Sequence, residues 1–280
     1  MPLSNFCREK RISVGTEYQE ADIFTRDAEP GNHQDHRNRR TNVTRPAQQN
    51  LNNRNARRYL TQLLNGNFGR GDLLVTLTYA PETLPDDVDA AQKHLRNYLR
   101  RASYFCKRKG MPPLKYVWVT EGGEDSEEAH RIHHHIIMNP MPPEDAAALW
   151  CEHRKPMGKV DTERIQVRFT ETSNGLQALA EYLAKDPQGK KRWSCSRNLK
   201  RPVSRVADCK YRRNKVAALA GDPAAAYTYF AERYPEWRIV SPITFRQNEF
   251  TGEWSCYLQM WRRHPQRKAR TKRPQRHNTP

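Results

Sequence analysis

Two apolar runs on either side of a short polar turn constrain this chain most: Lys115-Tyr-Val-Trp-Val-Thr-Glu121 and Arg131-Ile-His-His-His-Ile-Ile-Met138. Each has the length and composition of a strand. Alternate residues of a strand share a face, so His133 and His135 point together while Ile132, His134, Ile136 and Met138 point the other way. His134 is therefore expected to pack rather than ligate. Antiparallel pairing across the turn would bring Glu121 close to the histidine pair. Two imidazoles and a carboxylate make a three-ligand site for a divalent metal with open positions. Ligands of this kind suit Mg2+ or Mn2+, with Zn2+ favoured by affinity alone. Glu124, Glu127 and Glu128 lie in the turn as rival ligands and are expected to be solvated. A triple histidine alone could equally be a surface patch, but this one is embedded in an apolar strand.

Further on, Asn174–Lys185 has helical spacing, with Leu176, Leu179, Ala180 and Leu183 as its buried stripe. Tyr182 lies at the edge of that stripe, and Lys185 lies on its side one turn on. A tyrosine there reads either as an interfacial anchor or as a reactive phenol. With an ordinary pKa of about 10, a phenol is a weak nucleophile. A neighbouring ammonium favours the phenolate and can steady developing phosphate charge.

The remaining pattern mixes strands and helices without regular alternation. Residues 1–45 lack periodicity and are expected to be a flexible N-terminal segment. A helix is predicted from Pro46 to about Leu64, then a breaker run, a strand over 73–79 and a helix over 86–107. A short helix near 143–153, a strand over 164–170, a basic loop over 188–205 and a helix over 223–233 follow. A hairpin with arms 239–246 and 254–261 closes the series. The class is α+β with a largely antiparallel sheet, one domain over 46–260 and a basic disordered tail over 261–280.

Charge points to the partner. The 280 residues carry a net +18, with pI near 9.9 and a mean hydropathy of −1.01. Residues 36–71 hold eight arginines and no acid, and residues 262–280 hold eight Lys/Arg and no acid. Residues 190–215 hold eleven Lys/Arg against Asp208 alone. Such blocks suit a polyanion. Lys190, Lys191, Arg192, Arg197, Lys200 and Arg201 can neutralise phosphates of a single strand or small hairpin. Trp193 reads either as a base-stacking platform or as core. The six cysteines form no C-x-x-C pair, and no long apolar segment is present. This disfavours a cysteine zinc module and a membrane span, and fits reduced thiols in a cytoplasm.

Thr-Leu-Thr-Tyr (76–79), His-x-His (133–135) and Tyr-x-x-Lys (182–185) occur in that order. The ordered set resembles the HUH endonuclease superfamily, and more narrowly the rolling-circle replication initiators of bacterial phages, plasmids and integrated elements. Asn67-Phe-Gly-Arg-Gly-Asp before the first of these strands and Ser196-Arg-Asn-Leu-Lys-Arg-Pro after the tyrosine helix add to the likeness. The resemblance implies a ferredoxin-like, RRM-type antiparallel sheet with packed helices. It implies that Glu121, His133 and His135 hold the metal and that Tyr182 nicks single-stranded origin DNA. The 5′ end would be kept as a phosphotyrosine and a 3′-OH freed for priming. Lys185 would assist, and Thr76 and Thr78 would stand beside the site and touch DNA. No second tyrosine lies three or four residues from Tyr182, which disfavours a two-tyrosine exchange scheme. No Gly-x-x-x-x-Gly-Lys-Ser/Thr run is present either, so a host helicase and polymerase are the expected partners. The alternatives are a relaxase or single-tyrosine transposase with the same chemistry, or a nonenzymatic nucleic-acid binder holding a structural metal. The oligomeric state is left open.

Overall fold

A computed structural model describes residues 6–26, 46–123, 131–169, 174–185 and 192–263. It opens with strands β1 (Phe6–Val14) and β2 (Tyr18–Arg26), followed by helix α1 (Pro46–Asn67) and strand β3 (Leu73–Thr78). Helix α2 (Val88–Arg108), strands β4 (Tyr116–Glu121) and β5 (His133–Met138), and helix α3 (Pro143–Ala148) come next. Two small ribbons, β6 (Cys151–Glu152) with β7 (Lys155–Pro156) and β9 (Arg168–Phe169) with β10 (Asn174–Gly175), flank β8 (Val160–Arg164). Then come α4 (Gln177–Leu183), β11 (Ser194–Cys195), β12 (Val203–Asp208), α5 (Arg213–Ala220) and α6 (Pro223–Arg233). The C-terminal hairpin is β13 (Trp237–Gln247) and β14 (Trp254–Arg262). The class is α+β with antiparallel sheets, as expected. No described helix is long and apolar enough to cross a membrane, and all six cysteines are free thiols.

The first sheet has the order β11-β4-β5-β3-β8, and each neighbouring pair is antiparallel. Its two faces follow from the alternation of the strands. Leu73, Val75, Leu77, Trp118, Ile136 and Met138 bury themselves beneath α2, whose Ala91, Leu95, Tyr98, Leu99, Ala102 and Phe105 recur at helical spacing. Asp87 caps that helix by accepting from the Ala90 amide. The opposite face offers Val117, Val119 and Ile137 to Leu60 and Leu64 of α1, to Phe68 just after it, and to Ala180 and Leu183 of α4. The face toward α4 is the one that carries His133 and His135.

A second sheet, ordered β12-β1-β2-β14-β13, corrects the expectation that residues 1–45 are flexible. Phe6–Arg26 form a nine-pair antiparallel hairpin at the centre of this sheet, between β12 and β14. Residues 27–45 lie outside the description. The single-domain boundary at 46 therefore cuts through a sheet built from both ends of the chain. β14 also runs to Arg262, past the expected start of the tail, and residues 264–280 lie outside the description. The reading missed the hairpin because its strands are charged. Two of those charges, Glu9 and Glu20, are buried and satisfied by residues far along the chain: Tyr211, Tyr234 and Lys210 for the first, Arg58 and Gln62 for the second. α5 was missed, and β8 begins at Val160, earlier than the strand predicted over 164–170.

α1 lies between the sheets. Its apolar side packs on the first sheet, and its polar side reaches the second through Glu20. That carboxylate is fully buried and accepts from Tyr18 Oη at 2.6 Å, Arg58 Nε at 2.7 Å and Gln62 Nε2 at 2.8 Å. Arg58 keeps Asp22 at 2.8 Å when Glu20 is removed, so the loss is that of the buried acceptor shared by Tyr18, Gln62 and Arg58. Glu20→Ala is expected to cost roughly 1–3 kcal/mol. A fall in the urea midpoint without change in slope measures that loss.

Candidate active site

The histidine strand is the middle of the first sheet, and register decides what stands beside it. His133 lies opposite Glu121 of β4 and, on its other side, next to Thr78 of β3. His135 lies between Val119 and Thr76 in the same way. Residues directly opposite in neighbouring strands share a face, so Glu121, His133 and His135 project together toward α4. Gly122 and Gly123, both at positive φ, end β4 immediately after the carboxylate. Glu121 Oε2 stands 3.7 Å from His133 Nε2 and 3.8 Å from His135 Nε2. One ligand atom from each of the three residues falls within 4.8 Å of the others.

The outer ring nitrogens orient the inner ones. His133 Nδ1 lies 2.9 Å from the Arg131 carbonyl, which can only accept, so Nδ1 donates there and Nε2 is the ring nitrogen turned toward Glu121. His135 Nδ1 is 3.0 Å from Thr76 Oγ1, an anchor of the kind that fixes ligating histidines. Burial, helped by the adjacent His133, pulls the His135 pKa down to about 4, so the ring is neutral at physiological pH. A neutral His135 with its Nε2 directed at the shared carboxylate is in the protonation state a divalent cation needs. The donor set therefore fits a metal.

His134 faces the other way, as expected from the alternation. It is fully buried, 2.9 Å from both Tyr79 Oη and Thr120 Oγ1, and burial pushes its pKa down to about 3. It braces the back of the sheet.

α4 brings the phenol to the histidines. Ala180 and Leu183 anchor the helix in the apolar cluster, which leaves Tyr182 at the rim of the sheet, half exposed. Its Oη lies 3.2 Å from His135 Nε2, and the two rings meet edge to face at 5.2 Å. Partial burial raises the Tyr182 pKa, with Glu121 and Glu163 adding to the rise and Lys185 opposing it. The lysine's pull is thus present but outweighed, and the phenol is protonated at neutral pH.

The other residues singled out from sequence are more dispersed. Thr76 is engaged by His135, and Thr78 Oγ1 donates to the Lys159 carbonyl at 3.0 Å. Trp193 is half-buried against the cluster that holds α4, which gives it a packing role. Arg192, Arg197, Lys200 and Arg201 are exposed. Asn67 brackets the Lys200 backbone, accepting from its amide at 2.7 Å and donating to its carbonyl at 2.8 Å. Arg201 donates to Cys195 Sγ at 3.3 Å. Lys190, Lys191, Glu124, Glu127 and Glu128 lie outside the described residues. The sequence reading missed Asp161 and Glu163, which β8 places on the same face as the histidines. Their signal was the alternation of Val160-Asp-Thr-Glu-Arg, too polar to stand out.

Residues 72–188 match the family model described as replication-associated protein ORF2/G2P. That span runs from the start of β3 past α4 and so contains Glu121, His133, His135, Tyr182 and Lys185. No curated protein and no solved structure matches the chain.

Proposed function

We infer the function from the match of residues 72–188 to the family model of replication-associated protein ORF2/G2P: this chain starts rolling-circle replication by nicking and rejoining single-stranded origin DNA. One observation carries the chemistry, the 3.2 Å approach of Tyr182 Oη to a ring of the His-His-Glu group. A protein that only bound DNA would have no use for a half-exposed phenol at that point. The βαββαβ order of β3, α2, β4, β5, α3 and β8, with the strands arranged β4-β5-β3-β8, supports a ferredoxin-like fold for this part.

Glu121, His133 and His135 would hold Mg2+ or Mn2+, which when bound polarises the scissile phosphate. Tyr182 forms the new bond. Its Oη attacks phosphorus as the phenol gives up its proton, the P–O3′ bond breaks, and the departing 3′ oxygen takes a proton. The 5′ phosphate stays on Tyr182, and the free 3′-OH is the primer end. Lys185, on the Tyr182 side of the helix, favours the phenolate and the charge that develops on phosphate. Thr76 holds the His135 ring in place. Rejoining is the same step reversed. The setting is the cytoplasm of a bacterial host, where a helicase and polymerase of the host extend the primer.

The test is a library of randomised single-stranded oligonucleotides incubated with the protein and Mn2+ or Mg2+. A denaturant-resistant protein–DNA adduct with a shared sequence at its 5′ end is expected. Salt-sensitive binding without any adduct would leave only the binding protein with a structural metal.

A further inference from the structure

A groove of about 700 Å³ runs between α1 and the face of the second sheet that looks toward it. Arg54 and Arg57 of α1 form one wall, and Lys10 of β1 and Arg246 of β13 form the other. Among the described residues, no carboxylate comes within ion-pair distance of these four side chains. Of the two acids in the groove, Asp22 is paired with Arg58 at 2.8 Å, whereas Glu181, hydrogen-bonded by Gln177 at 3.0 Å, is a carboxylate set against the cations. Gln177 and Glu181 belong to α4, so the groove ends on the exposed side of the helix that carries Tyr182.

We propose that this groove is a second contact for single-stranded DNA, holding the backbone of the strand that flanks the cleaved phosphate. The proposal rests on the nickase reading, because it is α4 that links the groove to the chemistry. Unneutralised cations along both walls fit a repeating anion. A cleft between one helix and one sheet face, in the size range of a small-ligand pocket, admits a single strand and excludes a duplex. A strand leaving Tyr182 along α4 meets Arg57 and Arg54 in turn, and crosses to Lys10 and Arg246. Among the described residues, no group of three metal-ligating side chains lies in the groove, and it takes no part in bond making.

The experiment is done in the Tyr182→Phe background, so that the absence of cleavage does not affect it. Binding of a 30-nucleotide single strand is measured by fluorescence anisotropy between 50 and 200 mM salt. Arg54 and Arg57 are exposed, so the Arg54→Ala/Arg57→Ala double variant should fold as the parent does, and circular dichroism checks this. The expected result is a shallower salt dependence, by about 1.4 in the slope of log K against log salt, from about 0.7 for each lost phosphate contact to a single strand. Arg246→Ala, on the facing wall, should remove about half as much. The control is Arg96→Ala/Arg100→Ala on α2, which covers the other face of the first sheet. An unchanged slope in the groove variants, or an equal loss in the α2 control, overturns the proposal. A matching loss for a 30-base-pair duplex overturns the assignment to a single strand. If the parent chain forms no adduct but the groove variants still lose slope, the nickase reading fails and the groove stands.

Discussion

Replacing Tyr182 with phenylalanine abolishes the covalent protein–DNA adduct, by at least about 10³-fold in rate, and leaves strand affinity within about twofold. The substitution removes one oxygen from a residue that is 50% exposed, and of the buried groups only His135 Nε2 loses a hydrogen bond by it. The edge-to-face contact with His135 survives. What disappears is the only side-chain atom of α4 within hydrogen-bond distance of the His-His-Glu group among the described residues. An uncharged ring contributes little to phosphate binding, so affinity and its salt dependence should hold. Persistence of the adduct in this variant would exclude Tyr182 as the nucleophile.

His135→Ala should be nearly as damaging, with cleavage down by about 10²-fold or more and Mn2+ affinity down in parallel. Its ring joins three parts of the site: it lies 3.8 Å from Glu121, 3.0 Å from Thr76 and 3.2 Å from Tyr182. His133→Ala should follow the same pattern. Thr76→Val is the informative partner, because it keeps the shape and removes only the hydroxyl that orients the imidazole. A drop of about 10- to 100-fold in metal affinity is expected there. Electron paramagnetic resonance titration with Mn2+ reads the affinities directly. Unchanged Mn2+ binding in His135→Ala would remove that residue from the ligand set.

The site was more legible in the sequence than the fold around it. A strand's period of two separates His133 and His135 from His134 without reference to any other part of the chain. The helical spacing of Leu176, Ala180 and Leu183 likewise places Tyr182 at an edge. Both are local patterns made visible by a single buried face. The N-terminal hairpin has no such pattern, since Glu9 and Glu20 sit where apolar residues would mark a strand. Their burial is tolerable only because Tyr234 and Arg58 arrive from 225 and 38 residues away. The edge strands were also hard to read. β8 is polar because only one of its sides pairs, and β12 exposes Val203 and Val206 while pairing with β1 along its length. The depression of the Tyr182 pKa expected from Lys185 does not prevail, because partial burial raises it and Glu121 and Glu163, on the same face, add to the rise.

Which atom DNA is joined to decides whether Tyr182 is the nucleophile. The deciding measurement is mass spectrometry of the nuclease-trimmed, protease-digested adduct formed with Mn2+. The expected spectrum places a 5′-linked nucleotide on the peptide containing Tyr182, on the phenol itself. A nucleotide carried by any other residue would mean that this phenol and the His-His-Glu group do not act on one phosphorus.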